Sequence, residues 1–235
     1  MLKVIKLTGL CWAVALVSMT SSATLVFQSG STSSQKQPVD ATADVSISGT
    51  TVTVTLTDNL ADPVSVGSVL NGIQLDISGA KGASNLSADN AKTVTIDKNK
   101  VATTGTANGQ TIASNYGLSG YSAITLSALS TGPNYLIIGP GPYSNSKGSI
   151  AGNGPHNPFI NGSETFSFSL AGASSFSESD VTGVTFLFGT SCWQTSPGVT
   201  TYAAVPEPST VIAAMLLLLP LGLGSAHILR KHKVC

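Results

Sequence analysis

Between residues 24 and 204, few side chains are of the types that catalyse reactions. This stretch holds one histidine, His156, and one cysteine, Cys192. A cysteine becomes a nucleophile when a neighbouring histidine takes its proton, but Cys192 stands beside Trp193 at the end of a predicted strand, where a buried apolar role is favoured. The pattern Gly-x-Ser-x-Gly is absent from the sequence, so no local motif supports a Ser-His-Asp triad.

The carboxylates suggest two further kinds of site, a calcium site and a glycosidase pair. Asp58, Asp62 and Asp76 lie in or near predicted turns, where carboxylate oxygens can meet around Ca²⁺; the alternative is three solvated turn residues. Glu164 and Glu178 are the only glutamates before the C-terminal tail, and no motif supports an acid–base pair. One histidine and one cysteine cannot complete a zinc site without several carboxylates. We therefore expect a protein that is not an enzyme and that needs no cofactor or metal.

The most conspicuous internal segment is residues 139–158, GPGPYSNSKGSIAGNGPHNP. A loop of this length inside a compact domain is unusual and often functional. One hypothesis makes it a ligand loop, in which Asn153, His156 and Asn157 bond a sugar or another surface while Tyr143 stacks on it. The other hypothesis makes it a structural crossover, in which the same polar groups bond the backbone.

Around these residues the apolar side chains alternate with polar ones, which predicts β-strands. Residues 51–57, TVTVTLT, place Val52, Val54 and Leu56 on one face and threonines on the other. Gly49-Thr50, just before them, suits a two-residue hairpin turn. Similar alternation recurs at residues 73–77, 94–96, 166–170 and 184–188. The pattern predicts an all-β chain folded as an antiparallel β-sandwich or jelly roll.

Charge and cysteine content limit the partners of this domain. Residues 24–204 have six Lys and no Arg against eight Asp and two Glu, a net charge of −4. Nucleic acids and anionic lipids both require cationic contacts, so neither is an expected partner. Cys192 is the only cysteine in this range, so it is either buried as a small apolar residue or pairs with another chain.

The amino terminus has the features of a secretory signal peptide. Lys3 and Lys6 precede a mostly apolar run at residues 7–17, and Ser21-Ser22-Ala23 supplies small residues for cleavage. The sequence therefore predicts a signal peptide at 1–23, a flexible or loosely paired Ser- and Gln-rich segment at 24–40, a β-sandwich domain at 41–190 and a linker at 191–204.

The tail at residues 205–235 combines three parts in order. A motif at 205–210 is followed by an uncharged apolar run of nineteen residues at 211–229 and by a basic end at 230–235. Nineteen helical residues, at about 1.5 Å each, nearly span a bilayer core. Lys and Arg beside a span mark the cytoplasmic side, so the domain before it faces outward. The residues that carry these signals are Val205, Pro206, Glu207 and Pro208 in the motif, and Arg230, Lys231 and Lys233 in the basic end.

This arrangement resembles the tail of the PEP-CTERM proteins of Gram-negative bacteria, in which Pro-Glu-Pro, one hydrophobic helix and a short basic terminus follow one another. The resemblance implies that exosortase, a membrane-embedded cysteine transpeptidase-like enzyme, recognises Pro206-Glu207-Pro208 and cleaves nearby. It implies a chain that is anchored in the inner membrane only until processing, and then lies at the outer surface or in the extracellular space. The alternative is an ordinary, permanent C-terminal anchor.

Two hypotheses describe the exported domain itself. The first is a non-enzymatic protein of the cell surface or extracellular matrix. The second is a carbohydrate-binding module for extracellular polysaccharide, since aromatic faces cover sugar rings. The aromatic side chains that could be exposed for this purpose are Tyr116, Tyr121, Tyr143 and Trp193.

Overall fold

The computed structural model describes residues 24–129, 133–190 and 194–201 of the chain, with side chains as far as Gly198. These residues belong to one unit, which spans residues 22–205. They form mostly β-strands, so the predicted strand-rich class is confirmed. The helix α1 is Gly109–Ser114, and short 3₁₀ turns lie at Val66–Ser68 and Glu178–Asp180. The strands are β1 (Leu25–Ser29), β2 (Ala41–Ser48), β3 (Thr51–Asp58), β4 (Leu70–Ile77), β5 (Ala83–Ala88), β6 (Ala91–Ile96), β7 (Ala102–Ala107), β8 (Tyr116–Ser119), β9 (Ala123–Ala128), β10 (Ile137–Ile138), β11 (Phe159–Asn161), β12 (Ser163–Leu170), β13 (Val181–Phe188) and β14 (Gln194–Thr201).

Alternating side chains explain the longest strands. In β3 the residues Val52, Val54 and Leu56 are buried, while the threonines between them point outward. β2 and β12 alternate in the same way and flank β3 on its two sides. The predicted hairpin turn is confirmed, since Ser48 pairs with Thr51 and Gly49 has a positive φ of 62°, which favours glycine.

The strands form one curled sheet in the order β5-β12-β3-β2-β1-β14-β13-β4-β10-β11-β6-β7. The β8–β9 hairpin joins this path through β9, which also pairs with β4. The described pairs are antiparallel with one exception, β10 with β11, which run parallel. The sheet is therefore mixed, and the predicted purely antiparallel arrangement fails at this one pair.

Two segments that the sequence assigns to flexible or linking chain are strands instead. β1 lies within the predicted flexible segment 24–40, and β14 within the predicted linker 191–204. The two strands pair with each other, and they join the half of the sheet that holds β2 to the half that holds β13. The linker prediction was wrong for β14, whose Pro and Gly hide its strand character, and β1 is a regular strand where the sequence indicates a flexible or loosely paired segment, because β1 has only two buried apolar side chains.

The buried apolar side chains of the described residues form one core cluster. Its largest fully buried side chains include Phe166 and Phe168 from β12, and Phe186 and Phe188 from β13. Among the described residues, no helix is long and apolar enough to cross a membrane. The predicted signal peptide at 1–23 and the predicted span at 211–229 lie outside the described residues.

Candidate functional site

The long segment 139–158 connects β10 directly to β11. Because these strands are parallel, the chain must return to the same end of the sheet before β11 can begin, and such a crossover takes a dozen or more residues. The strand pairing thus explains why this loop is long. We call residues 139–158 the crossover loop.

Asn157 attaches the end of the crossover loop to β6. Its side-chain oxygen accepts a hydrogen bond from the backbone N–H of Ile96 at 2.8 Å. Its side-chain nitrogen donates to the carbonyl oxygens of Asn153 at 2.9 Å and Ile150 at 3.3 Å. The side-chain amide of Asn157, which the ligand-loop hypothesis assigns to a ligand, therefore bonds backbone groups through both its oxygen and its nitrogen.

Asn153 and His156 also bond carbonyl groups of the protein. Asn153 donates from its side chain to Ser149 at 3.3 Å. The His156 ring is buried, and its Nδ1 lies 3.3 Å from the carbonyl oxygen of Pro133, an arrangement that requires the proton on Nδ1. These contacts match the structural-crossover hypothesis for the loop.

Tyr143 does not form the expected stacking platform, which is a correction to the ligand-loop hypothesis. Its side chain is only 4% exposed, and its hydroxyl donates to the carbonyl oxygen of Gly139 at 3.1 Å. Burial raises the pKa of Tyr143 to about 12, with a further contribution from the nearby Asp58. The ring thus fills the space beneath the start of the crossover loop.

The other aromatic candidates divide between buried and exposed positions. Tyr116 is buried too, with its ring centroid 4.6 Å from that of Phe166 and its hydroxyl donating to the Tyr135 carbonyl oxygen. Tyr121, at the tip of the β8–β9 hairpin, is 76% exposed. Trp193 and Cys192 lie outside the described residues. Among the described candidates, Tyr121 alone is exposed enough to stack on a sugar.

Asp58 is the most buried carboxyl group described, and sequence reasoning assigned it no structural role. It accepts hydrogen bonds from the backbone N–H groups of Leu60 at 3.0 Å, Leu70 at 3.3 Å and Gly139. One side chain thus joins the end of β3, the start of β4 and the start of the crossover loop. Burial raises the pKa of Asp58 to about 8, although the three N–H groups oppose this shift.

Asp62 and Asp76 occupy other environments. The Asp62 carboxylate accepts bonds from Ser144 and Asn145 of the crossover loop, and the Asn145 backbone N–H is the main cause that lowers the pKa of Asp62. Asp76 accepts a bond from Gln74 at 3.2 Å. Within the described ranges, no three His, Cys, Asp or Glu residues are grouped to hold a metal ion. The structure therefore does not bring the three aspartates together as calcium ligands.

Glu164 is a second buried carboxyl group. It points into the core from β12, on the same face as Phe166, and accepts a bond from the Asp89 backbone N–H at 3.0 Å. Burial raises the pKa of Glu164 to about 7, and burial followed by the charge of Glu164 raises the pKa of Tyr116. Glu178 instead accepts a bond from the Ile47 N–H at the opposite end of the β2–β3 hairpin, so the two glutamates do not form an acid–base pair.

The outer surface of β3 and β12 is covered with hydroxyl groups. Thr55 and Thr165 are joined by their side-chain oxygens at 2.9 Å, and Thr53 and Ser167 are joined in the same way at 3.2 Å. This array is uncharged, and the pattern TVTVTLT was the sequence signal for it. We call it the hydroxyl face; its members are Thr51, Thr53, Thr55 and Thr57 of β3, and Ser163, Thr165, Ser167 and Ser169 of β12.

The chain matches no protein-family model, no curated protein and no solved structure.

The two buried carboxyl groups predict that the fold loses stability as pH rises. Their pKa values are about 8 for Asp58 and about 7 for Glu164 in the folded chain, against 3.8 and 4.5 for the free side chains. The folded state therefore binds protons more tightly than the unfolded state. The contribution of these two groups to the free energy of unfolding is greatest below about pH 4, falls between pH 4 and 8, and levels off above that.

The variant Glu164→Gln tests this pH dependence. Glutamine keeps an oxygen for the Asp89 N–H but cannot ionise, so we expect it to reduce the loss of unfolding free energy between pH 4.5 and 7 by about 1–3 kcal/mol. Urea unfolding of the full chain at a series of pH values measures this. Thr95→Val, a change without an ionisable group on the exposed surface of β6, is the control and should follow the wild-type profile. An unchanged profile in Glu164→Gln would contradict the assignment.

Proposed function

We propose that this chain is a non-enzymatic exported protein of the bacterial surface or extracellular matrix, processed at its C-terminal sorting signal by exosortase. The observation that carries the proposal is the tail, where Pro206-Glu207-Pro208 directly precedes an apolar run of membrane-spanning length and a basic end. In this account exosortase and, transiently, the inner membrane are the partners, and the motif is the substrate of the cleavage.

The roles of the polar side chains support a non-enzymatic function. Asp58, Glu164 and Asn157 all bond backbone N–H groups that join strands or hold the crossover loop. Catalytic groups are usually kept ready for a substrate, with pKa values matched to proton transfer. Here the two carboxyl groups with raised pKa values, Asp58 and Glu164, accept hydrogen bonds from backbone N–H groups of the protein itself.

The position of β14 is compatible with removal of the tail. This strand ends at Thr201, before the motif begins at Val205, and it pairs on both sides with β1 and β13. Cleavage near the motif would therefore leave the strand in the sheet. The exported domain would keep its fold after the tail is lost.

We also propose that the curled sheet closes as a β-sandwich. Two contacts support facing layers: the rings of Tyr116 from β8 and Phe166 from β12 lie 4.6 Å apart, and Asp58 at the end of β3 accepts a bond from Leu70 of β4. In each case the partners come from different halves of the strand order. The buried phenylalanines of β12 and β13 would then be the core between the layers.

Sorting predicts that the tail is cut from the domain in cells. We expect a C-terminal tag to separate from the wild-type domain and to stay attached when Pro206, Glu207 and Pro208 are replaced by alanine. Immunoblotting with separate antibodies to the tag and the domain measures this in a host that encodes exosortase. A strain without exosortase is the control and should keep the tail. Equal cleavage in the wild type and the motif variant would contradict the proposal.

A carbohydrate-binding module is the second candidate, and the hydroxyl face is the observation that favours it. Rows of Thr and Ser at regular cross-strand positions offer neutral donors and acceptors to the hydroxyl groups of a polysaccharide. For this candidate the binding surface is the outside of β3 and β12 instead of the crossover loop. The outward side chains of β3 and β12 are all neutral, which agrees with an uncharged ligand, and the nearest charge is Asp44 of β2, opposite Thr55.

The second candidate predicts retention of the full chain on an uncharged insoluble polysaccharide such as cellulose, amylose or xylan. The double variant Thr53→Val/Thr55→Val keeps the β-branched shape and removes two hydroxyl groups, so we expect it to weaken binding about tenfold or more. Thr95→Val, on exposed β6 surface, is the control and should bind normally. Failure of the wild type to bind any of the three, or equal binding by the double variant, would exclude this surface.

A further inference from the structure

β7 lies at one end of the strand order and pairs within the described chain only with β6. Residues 102–106 are all exposed, and the strand ATTGTA carries no charge. The register with β6 runs without interruption from Ala91 and Ala107 to Ile96 and Ala102. β7 is therefore a regular, uncharged edge strand of six residues.

The hydrogen-bond pattern of the β6–β7 hairpin shows which backbone groups of β7 point away from β6. At its turn the Asp97 N–H donates to the Val101 carbonyl oxygen at 3.0 Å. Because antiparallel partners alternate between bonded and non-bonded pairs, Thr103, Gly105 and Ala107 bond β6. The N–H and C=O groups of Ala102, Thr104 and Thr106 then face outward along the open edge.

The other end of the strand order is treated differently. At β5, helix α1 approaches so closely that a Cβ on Gly109 would overlap the carbonyl oxygen of Ala88. Exposed edges are commonly protected by charge, proline, a bulge or a covering element. β7 has no charge, no proline and no register shift, and its outward side chains are solvent-exposed.

We propose that β7 pairs with β7 of a second copy of this chain, antiparallel about a two-fold axis at Thr104. Only residues whose backbone groups face outward can form the bonded pairs. Thr104 therefore lies opposite Thr104 of the second copy, and Ala102 lies opposite Thr106. Each bonded pair exchanges two hydrogen bonds, and the two sheets become one continuous sheet.

Charge and apolar contacts fit a second copy as the occupant. In this register Lys100 lies opposite Asn108 of the second copy. Lys92 pairs with Thr106 of its own copy, and Thr106 lies opposite Ala102 of the second copy. No like charges therefore meet. Val101, whose side chain is 59% exposed, lies opposite Ala107 and becomes covered. Hydroxyl pairs across strands already occur within this sheet, at Thr55 and Thr165, so paired threonines at the axis have a precedent in the same molecule.

The test is the oligomeric state of the full chain in detergent micelles, measured by sedimentation velocity over a dilution series. We expect the wild type to dimerise. Thr104→Lys places two like charges opposite each other at the axis, so it should raise the dimer dissociation constant about tenfold or more. Thr95→Lys adds the same charge to the exposed surface of β6, away from the edge, and should dimerise like the wild type. Circular dichroism establishes that each variant is folded.

Charge reversal makes the register itself testable. Thr104→Glu alone should also dissociate, whereas an equimolar mixture of Thr104→Lys and Thr104→Glu should form heterodimers, because Lys then lies opposite Glu. A monomeric wild type would overturn the proposal, and so would a dimer that Thr104→Lys leaves intact. Loss of the dimer in Thr95→Lys to the same extent, or no heterodimer in the mixture, would overturn pairing at Thr104.

Discussion

The parallel pairing of β10 with β11 is the constraint on which the rest of the structure depends. It requires a connection that crosses back along the sheet, and the crossover loop supplies it. A loop packed against the protein must have its backbone groups satisfied. Asn157 meets this requirement where the loop passes β6, and Asp58 meets it where the loop leaves β10, next to the junction of β3 and β4. Asp58 and Asn157, which the sequence offers to a metal or a ligand, are therefore side chains that hold the strands and the loop together.

Because these polar groups bond the protein's own backbone, the candidate functional surfaces lie on the outside of the sheet. The hydroxyl face is partly exposed and the edge of β7 is exposed; the strands that form both surfaces are regular, and their outward side chains are uncharged. Such surfaces suit contacts with extended neutral polymers or with another sheet. They accord with the proposed role at the cell surface or in a matrix, where a protein acts by association.

The sequence predicts those parts of the fold that depend on local periodicity. The alternation at 51–57 and the Gly49-Thr50 turn lead to β3 and its hairpin as observed. β1 and β14 are missed because their strand character comes from pairing with each other and with neighbours distant in sequence. The burial of Tyr116 and Tyr143, and the structural role of Asn157, depend in the same way on which strands become neighbours. The signals of the tail at 205–235, in contrast, are local in sequence, and its residues lie outside those described.

Hydrogen exchange at the crossover loop tests the central claim most directly. The N–H groups of Lys147 and Gly152 donate to the carbonyl oxygens of Val64 at 2.8 Å and Ile96 at 2.9 Å. If the loop is a structural crossover, both amides exchange as slowly as those of β6. In Asn157→Ala, the Gly152 amide should then exchange faster while β3 stays protected. Exchange of the wild-type loop amides at the rate of an unfolded peptide would contradict the account and return the loop to the role of a ligand-binding segment.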